Sequence, residues 1–295
     1  MDEMIDSTQI LALVAALFFG LALVLTQFGL RYRGPLQGAV VSIPASTLLF
    51  LAASPVHVDF SQWDWRAVLI FAAVGSLYPA AVTVLTFQAN RQVGPNVAGA
   101  VGNLAPVFAV AFAAIVLGAP PRLWDVGGIA IIVIGVTVLA AGRRGSIGGG
   151  SWSRLALLVP LGAALIRGVI QPGIKIGLET WPDPYAAALV SYVVSATVVL
   201  SVSLWRDPVG PFTGDRRGIG WFVAVGVCNG LAVLTMYMAL ASGTVAAVAP
   251  LVASYPVATL VFSALLLGHV ALNFRIVLGV AVTVVGVALL LMKDG

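Results

Sequence analysis

The chain has 295 residues, of which 60% are hydrophobic and 9% are charged, and its formal net charge is +4. Ordinary soluble domains carry about 25% charged residues, so this composition excludes a soluble globular protein. The apolar segments are long and free of charge, whereas the strands of an outer-membrane barrel would give alternating segments of about ten residues. The chain is therefore predicted to be a helical integral membrane protein.

Apolar segments long enough to cross a bilayer follow one another along the whole chain. All seven tryptophans fall at or just outside the ends of these segments, where indole rings favour the lipid headgroup region. The fold class predicted from this pattern is all-α, with ten transmembrane helices. The predicted spans are 10–30, 36–54, 67–89, 96–117, 123–141, 153–176, 185–205, 218–240, 245–267 and 276–292.

The basic residues indicate how the chain is oriented in the membrane. Ten Lys and Arg side chains lie in loops on one side of the predicted bundle, and four lie on the side that holds both termini. The positive-inside rule then places both termini outside the cytoplasmic membrane. We interpret the positive charge as a signal of orientation, so we expect a multi-pass protein in contact with the lipid bilayer and no nucleic-acid partner.

Parts of the sequence occur twice. Sliding the segment 155–177 back onto the first predicted helix pairs Gln171 with Gln27. A similar shift further along the chain pairs Pro256 with Pro106. In so apolar a chain matches among Ala, Val and Leu are common by chance, so the Gln, Gly and Pro pairs carry the argument. The pattern indicates an internal duplication.

A Gly/Ser-rich stretch, RRGSIGGGSWS at 143–153, is typical of a flexible linker and divides the chain. We predict a first five-helix repeat at 9–142 and a second at 154–292. Because each repeat has an odd number of helices, the second must enter the bilayer from the opposite side. Two inverted repeats of this kind are typical of secondary transporters, whose substrate binds near the midplane at the repeat interface.

The second repeat also carries a series of short motifs: Tyr237-Met-Ala-Leu240, Gly243, Pro250, Tyr255-Pro256 and Leu267-Gly268, with a looser match in the first repeat at Phe87-Gln-Ala-Asn90, Gly94-Pro95, Pro106 and Leu117-Gly118. This series resembles the drug/metabolite transporter superfamily, whose members have paired EamA-like domains. The resemblance covers nearly the whole chain and implies two five-helix domains that form a membrane transporter. It also implies cytoplasmic termini, which is opposite to the orientation that the loop charges indicate.

Arg167 lies in the middle of a predicted span, where a charge costs about 2.5–3.5 kcal/mol on insertion scales. Such a residue usually faces a polar interior and marks a substrate or ion pathway, although packing against carbonyls of a broken helix is the alternative. Gln171 and Lys175 follow at i+4 and i+8 and are expected on the same helix face. Since no Asp or Glu lies near the centre of a predicted span, a lone buried Arg suits a substrate with a carboxylate or phosphate.

Further polar residues within the spans are candidates for substrate contact. Interhelical hydrogen bonding, worth about 0.6 kcal/mol on average, is the alternative role for each of them. Pro106 and Pro256 could act as symmetric hinges or simply shape their helices. The predicted substrate-binding residues are Arg167, Gln171, Gln27, Tyr78, Asn103, Asn229, Tyr237 and Tyr255.

Enzyme chemistry is poorly supported by the sequence. The two histidines lie far apart, the single cysteine Cys228 excludes a multi-cysteine metal site, and there is no HExxH motif or phosphate-binding Gly-rich loop. We expect no cofactor and no metal. Glycines at seven-residue spacing indicate close helix packing, and a homodimer face is the alternative reading.

The predicted function is secondary active transport of a small-molecule substrate by alternating access. The substrate is expected to be amino-acid-like or an organic anion rather than a cation, and the direction is expected to be export. Multidrug efflux is the first alternative, and it would tolerate the loss of the Arg167 charge. A membrane-embedded enzyme or a non-transporting partner subunit is the second alternative, and it would show no substrate counterflow.

Overall fold

The computed structural model describes residues 7–93, 101–102, 104–118, 120–142, 154–206, 215–267 and 274–291. In these ranges the chain is helical with short turns and contains no strand, which confirms the predicted fold class. The predicted linker at 143–153 and the predicted site residue Asn103 lie outside the described residues.

In the described part of the first repeat there are three long helices, two half-length helices and one short helix. A 3-10 turn at Phe60–Gln62 separates the second and third helices. The helices are α1 (Ser7–Gly29), α2 (Pro35–His57), α3 (Trp65–Leu77), α4 (Ala80–Gln92), α5 (Ala105–Val116) and α6 (Leu123–Gly142).

The second repeat begins with a 3-10 turn at Arg154–Leu157 and follows the same order of elements. The third span, which is broken between α3 and α4 in the first repeat, is a single continuous helix in the second repeat. The helices are α7 (Leu158–Thr180), α8 (Pro184–Arg206), α9 (Arg216–Ser242), α10 (Val245–Val252), α11 (Tyr255–Leu267) and α12 (Phe274–Leu291).

These helices account for ten apolar stretches in the described chain. Seven are long and apolar enough to cross a membrane, and three shorter apolar helices complete the set. Two of the seven are composite, because α3 and α4 form one span that is broken at Tyr78-Pro79, and α10 and α11 form another that is broken at Ala253-Ser254. The sequence predicts each as a single span, 67–89 and 245–267, with kinks at its prolines.

Acidic residues at the helix ends serve as caps. The carboxylate of Asp64 accepts hydrogen bonds from the backbone N–H groups of Arg66 and Ala67, and Asp215 accepts one from Arg217. These side chains satisfy donors that the first turn of a helix leaves unpaired. Capping therefore explains why acids stand at the loop-facing ends of the spans rather than in their centres.

The contacts that each repeat makes with the other are equivalent. α1 packs against α9 and α11 of the second repeat, while α7 packs against α3, α4 and α5 of the first. α2 packs on α8 and α9, α8 packs on α3, and α6 packs along α12. Each of these contacts thus has a counterpart made by the other repeat, as two repeats related by a two-fold axis require.

Hydrogen bonds between the repeats follow the same two-fold relation. The hydroxyl of Ser46 on α2 donates to the carbonyl of Gly226 on α9 at 2.6 Å. In the equivalent place the hydroxyl of Ser195 on α8 donates to the carbonyl of Gly75 on α3. Both glycines allow the helix backbones to approach closely enough for a side chain to reach a main-chain oxygen.

The contacts correct the register in which the first helices of the repeats were paired. A Cβ atom at Gly20 would lie against Tyr255 and Ala258 of α11, and one at Gly168 would lie against Ala105 and Phe108 of α5, the corresponding residues. Gly20 and Gly168 are therefore equivalent. This register is one helical turn from the pairing of Gln27 with Gln171. A shift of one turn keeps the same face of an apolar helix inward, so the sequence alone does not distinguish the two.

The tryptophans among the described residues lie near helix ends, as predicted, but their environments differ. Trp65, Trp124 and Trp205 are exposed near the ends of their helices, as residues at a headgroup region would be. Trp181, at the end of α7, is 1% exposed and packs against Trp63 and Phe71. It closes the end of the bundle instead of facing lipid.

Candidate functional site

A cavity lies between the two repeats, enclosed by α1, α4, α7, α9 and the break between α3 and α4. Its empty space, including a part that is open to solvent, is about 570 Å³. The lining combines one charge, several hydroxyls and a larger apolar surface. It consists of Phe19, Ala22, Leu23, Thr26, Tyr78, Pro79, Val82, Thr83, Thr86, Phe87, Arg167, Tyr192, Asn229, Val233 and Tyr255.

Arg167 and Tyr255 lie where this cavity meets two smaller ones, since both residues line all three. The guanidinium of Arg167 donates from Nη2 to the hydroxyl of Thr86 at 3.3 Å. Its Cζ atom lies 5.9 Å from the centre of the Tyr255 ring, within the range of a cation–π contact. α7 thus positions the charge against α4 and α11 together.

No carboxylate among the described residues forms an ion pair with Arg167. Its neighbours there are a hydroxyl dipole and an aromatic ring, which only partly offset a positive charge in an apolar setting. A guanidinium carries five N–H donors, and the described residues accept from one of its nitrogens. The arrangement can therefore bind a carboxylate or a phosphate group through a planar pair of donors.

The corrected register shows that the two repeats contribute different chemistry at equivalent positions. Phe19 precedes Gly20 as Arg167 precedes Gly168, so the two side chains are counterparts. Leu23 and Gln171 are counterparts for the same reason. All four line the group of cavities. At these two pairs of positions the first repeat is apolar and the second is polar, although the backbone frame is nearly symmetric.

Gln171 lines one of the smaller cavities, next to Arg167. It is 3% exposed, and its Oε1 atom has no hydrogen-bond partner among the described residues. Leaving a buried acceptor unpaired costs about 1–3 kcal/mol, so polar groups of this kind usually meet a partner. The unpaired oxygen lies inside the bundle, with under 1 Å² of its own surface exposed.

The predicted site residues are only partly brought together. Arg167, Tyr78, Asn229 and Tyr255 line the main cavity, and Gln171 lines the adjoining one. Two others stand elsewhere and line none of these three cavities: Gln27 is partly buried on α1, and Tyr237 is fully buried in the packed core. Asn103 is outside the described residues.

Lys175 does not join Arg167 and Gln171 as the helical spacing predicts. Its Nζ atom donates to the carbonyl oxygens of Leu240 and Ala241 at 3.0 and 3.4 Å. These carbonyls belong to the last turn of α9, where a helix leaves acceptors unpaired and favours a positive charge. Lys175 therefore caps a helix end instead of lining the cavity.

Several lining residues were not predicted from the sequence. Thr83 and Thr86 lie three residues apart, which places both on one face of α4, toward the cavity. This spacing was a usable signal, because two hydroxyls on one face of a membrane helix indicate a polar surface. Phe19, Phe87 and Tyr192 gave no such signal, since aromatic residues within spans usually pack.

The glycines at seven-residue spacing lie within the chain's own packing. A Cβ atom at Gly135 would contact Thr283 at 2.5 Å, and one at Gly286 would contact Ile132 at 2.8 Å. These contacts join α6 to α12 in one molecule. The described residues contain no group of three or more His, Cys, Asp or Glu side chains placed to hold a metal ion.

Comparisons with known proteins agree with this architecture. A crystal structure of another protein superposes with a TM-score of 0.77 over 96% of each chain at 20% sequence identity, which shows a shared fold. Comparison with curated proteins gives no match. The family model of the EamA-like transporter family matches twice, at residues 6–141 and 154–292. The chain therefore belongs to the EamA-like transporter family of membrane transporters.

Proposed function

We propose that the protein is a secondary active transporter that exports a small metabolite with an acidic group, either amino-acid-like or another organic anion. The observation that carries this proposal is the Arg167 guanidinium, which lies in the cavity between the repeats without a carboxylate partner among the described residues. A bound carboxylate would supply the missing negative charge and gain strength from the apolar surroundings.

The rest of the substrate is proposed to be apolar and compact. The apolar part of the lining includes Phe19, Leu23, Phe87 and Val233. A molecule with an acidic end and an apolar body would place each part against matching surface, whereas a sugar or a polyanion would bury polar groups without partners. The presence of one charge and a larger apolar surface in the same lining thus supports an amphipathic acid.

Alternating access is supported by broken helices at equivalent places in the two repeats. α5 begins at Ala105 and α11 begins at Tyr255, each with a proline as its second residue, Pro106 or Pro256. Ala105 and Tyr255, the first residues of these two helices, line a cavity together with Arg167. We propose that these breaks act as paired hinges, so that a motion at one repeat is mirrored at the other. The proposed limits of the moving units are 9–142 and 154–292.

The test is counterflow into proteoliposomes that contain the purified protein. The panel contains labelled L-amino acids, aliphatic and aromatic carboxylic acids, and the aromatic cation ethidium. We expect uptake of at least one acid in wild type and a loss of at least about thirtyfold in Arg167→Gln, because losing a buried charged contact costs roughly 2 kcal/mol or more. Arg167→Lys should fall between the two, since it keeps the charge and loses the planar fork.

The control for this test is a comparison of unfolding temperatures, which should show that Arg167→Gln remains folded. Ethidium uptake that is indifferent to the substitution would refute the acid site and favour multidrug efflux. Absence of counterflow for every compound in wild type would contradict transport and favour an enzyme or a partner subunit.

We also propose that both termini face the outside of the cytoplasmic membrane, from the ten-to-four distribution of basic residues between the two sides. An alkaline phosphatase fused after Gly295 is expected to be active, and a green fluorescent protein at the same place is expected to be dark. Fusions after Ser151, in the predicted linker, should give the opposite pattern. Reversed results would assign cytoplasmic termini instead.

A further inference from the structure

The hydroxyl of Ser195 joins the two halves of the span that is broken at Tyr78-Pro79. It donates to the carbonyl oxygen of Gly75 near the end of α3, and it accepts from the backbone N–H of Ala80, the first residue of α4, at 3.1 Å. Pro79 has no N–H, so the carbonyl of Gly75, four residues earlier, cannot receive the usual helical bond. The Ala80 N–H stands in the first turn of a helix, where no intrahelical acceptor is available. One side chain of α8 thus supplies a partner to each backbone group that the break leaves without one.

This link lies deep inside the bundle. Ser195 is 0% exposed, so water has no ready access to the groups that it joins. Buried backbone donors and acceptors are rarely left without partners, because each would lose its hydrogen bonds to water and gain none in return. The position of α4 relative to α3 is therefore tied to this single hydroxyl.

The second repeat does not depend on its hydroxyl in the same way. Gly226 is the counterpart of Gly75, and its carbonyl accepts from the hydroxyl of Ser46. The residue four positions after Gly226 is Gly230, which has an N–H and lies inside the continuous helix α9. The hydroxyl of Ser46 thus adds to a helical bond, whereas that of Ser195 replaces one.

The broken span also forms a wall of the main cavity. Tyr78 and Pro79 line this cavity at the break itself, and α4 contributes further lining residues. One of these is Thr86, whose hydroxyl accepts from the guanidinium of Arg167. Ser195 lines none of the three cavities. Its hydroxyl can therefore influence the site only by setting where α4 lies.

We propose that Ser195 is a positioning residue of the substrate site, and that its hydroxyl holds the break and α4 in the arrangement that binds substrate. This inference rests on the proposed function but not on the class of substrate. Without the hydroxyl, the carbonyl of Gly75 and the N–H of Ala80 regain partners only if α3 and α4 shift. Substrate must then draw the protein back from the shifted arrangement, so the apparent affinity falls in proportion to the fraction that remains competent.

The experiment measures counterflow of the compound that gives the strongest uptake in wild type, as a function of its concentration. In Ser195→Ala the apparent KM is expected to rise about tenfold, because two buried backbone groups lose their partner and roughly one molecule in ten stays competent. The maximal rate should stay within about twofold of wild type, since saturating substrate restores the binding arrangement. This split between KM and maximal rate is not expected from a general loss of folded protein.

The matched control is Ser191→Ala, one turn earlier on α8. Ser191 is also 0% exposed, and its hydroxyl donates to the carbonyl of Phe71 on α3 at 3.1 Å. That carbonyl keeps its helical bond from the N–H of Gly75 when the hydroxyl is removed. Ser191→Ala is therefore expected to keep the wild-type KM.

A second pair of variants separates the hydroxyl from the volume of the side chain. Ser195→Thr and Ser195→Val have nearly the same shape, and only threonine keeps the hydroxyl. Any cost of the larger side chain in a fully buried place is shared by the two. The apparent KM of Ser195→Val is expected to be about tenfold above that of Ser195→Thr, by the same loss of partners.

Hydrogen exchange followed by mass spectrometry tests the link without any substrate. The Ala80 amide, in a peptide that covers 77–84, is expected to exchange at least about tenfold faster in Ser195→Ala than in wild type, because its acceptor is gone. Ser191→Ala should exchange as wild type does. Unchanged exchange in Ser195→Ala would show that the hydroxyl does not hold the break together, and would overturn the proposal.

Two kinetic results would also overturn it. An unchanged KM in Ser195→Ala, or equal KM values in the threonine and valine variants, would leave Ser195 with a packing role. A lower maximal rate at unchanged KM would assign the link to the change of access instead of to binding. Absence of counterflow for every compound in wild type would refute the proposed function, and with it a substrate site to position, while exchange at Ala80 would still report whether the hydroxyl joins α3 to α4.

Discussion

Replacing Gly75 by leucine is expected to lower the unfolding temperature by about 6–12 °C, corresponding to about 3 kcal/mol of stability. The reason is that a Cβ atom at Gly75 would lie 2.6 Å from the carbonyl oxygen of Ser191 and 2.8 Å from its Cα atom. Both contacts are with backbone, so α3 and α8 must move apart. The bond from Ser195 to the Gly75 carbonyl would then lengthen or break.

The two-fold relation predicts the same result at Gly226, where a Cβ atom would meet the backbone of Ser42 on α2. The control is Gly220→Leu on the same helix as Gly226, since nothing lies within 4 Å of a Cβ atom at Gly220. That variant should be neutral or slightly stabilising, because glycine weakens a helix interior by about 1 kcal/mol. Detergent-solubilised protein followed by intrinsic fluorescence during heating gives the measurement. Equal stability of all three variants would contradict the close packing.

Moving the guanidinium from one repeat to the other is expected to restore acid binding in part. Arg167→Phe should weaken binding of the transported acid by at least about thirtyfold, as loss of a buried charged contact does. The double variant Phe19→Arg with Arg167→Phe should recover at least about tenfold of this loss, because positions 19 and 167 are counterparts that line the same cavity. The net number of buried charges stays the same, so the insertion cost is matched.

Equilibrium binding of the acid that gives the strongest counterflow in wild type measures this recovery. Phe19→Arg alone is the control, and its two guanidinium groups should repel each other and lower the unfolding temperature. If the double variant binds no better than Arg167→Phe, acid recognition depends on the local contacts of Arg167 with Thr86 and Tyr255 and not on a charge in the cavity.

Much of the architecture could be predicted from the sequence, because the bilayer imposes strong rules on composition. Spans of about 20 apolar residues separated by short charged loops gave ten helices, and the structure describes ten apolar helical stretches. The repeated Gly and Pro residues indicated two repeats, and the family model matches twice. Arg167 was identified as central by the cost of a charge in a membrane helix, and it lines all three cavities.

The sequence could not determine which face each helix turns toward the cavity, or in which register neighbouring helices pack. An apolar helix in a bilayer has little amphipathic pattern, so Gln27 and Tyr237 resembled site residues as much as Gln171 did. In the structure Gln27 and Tyr237 line none of the three cavities, whereas Thr83 and Thr86 line the main cavity.

The sequence by itself determined that this chain is a helical membrane protein of two repeats with one charge at its centre, because burial in lipid restricts residue types strongly. Only the tertiary structure decided the register of α1 against α7, the breaks at Tyr78-Pro79 and Ala253-Ser254, and the cap formed by Lys175. These features depend on the close approach of particular backbones. Such contacts join residues far apart in the chain and leave no periodic pattern in the sequence.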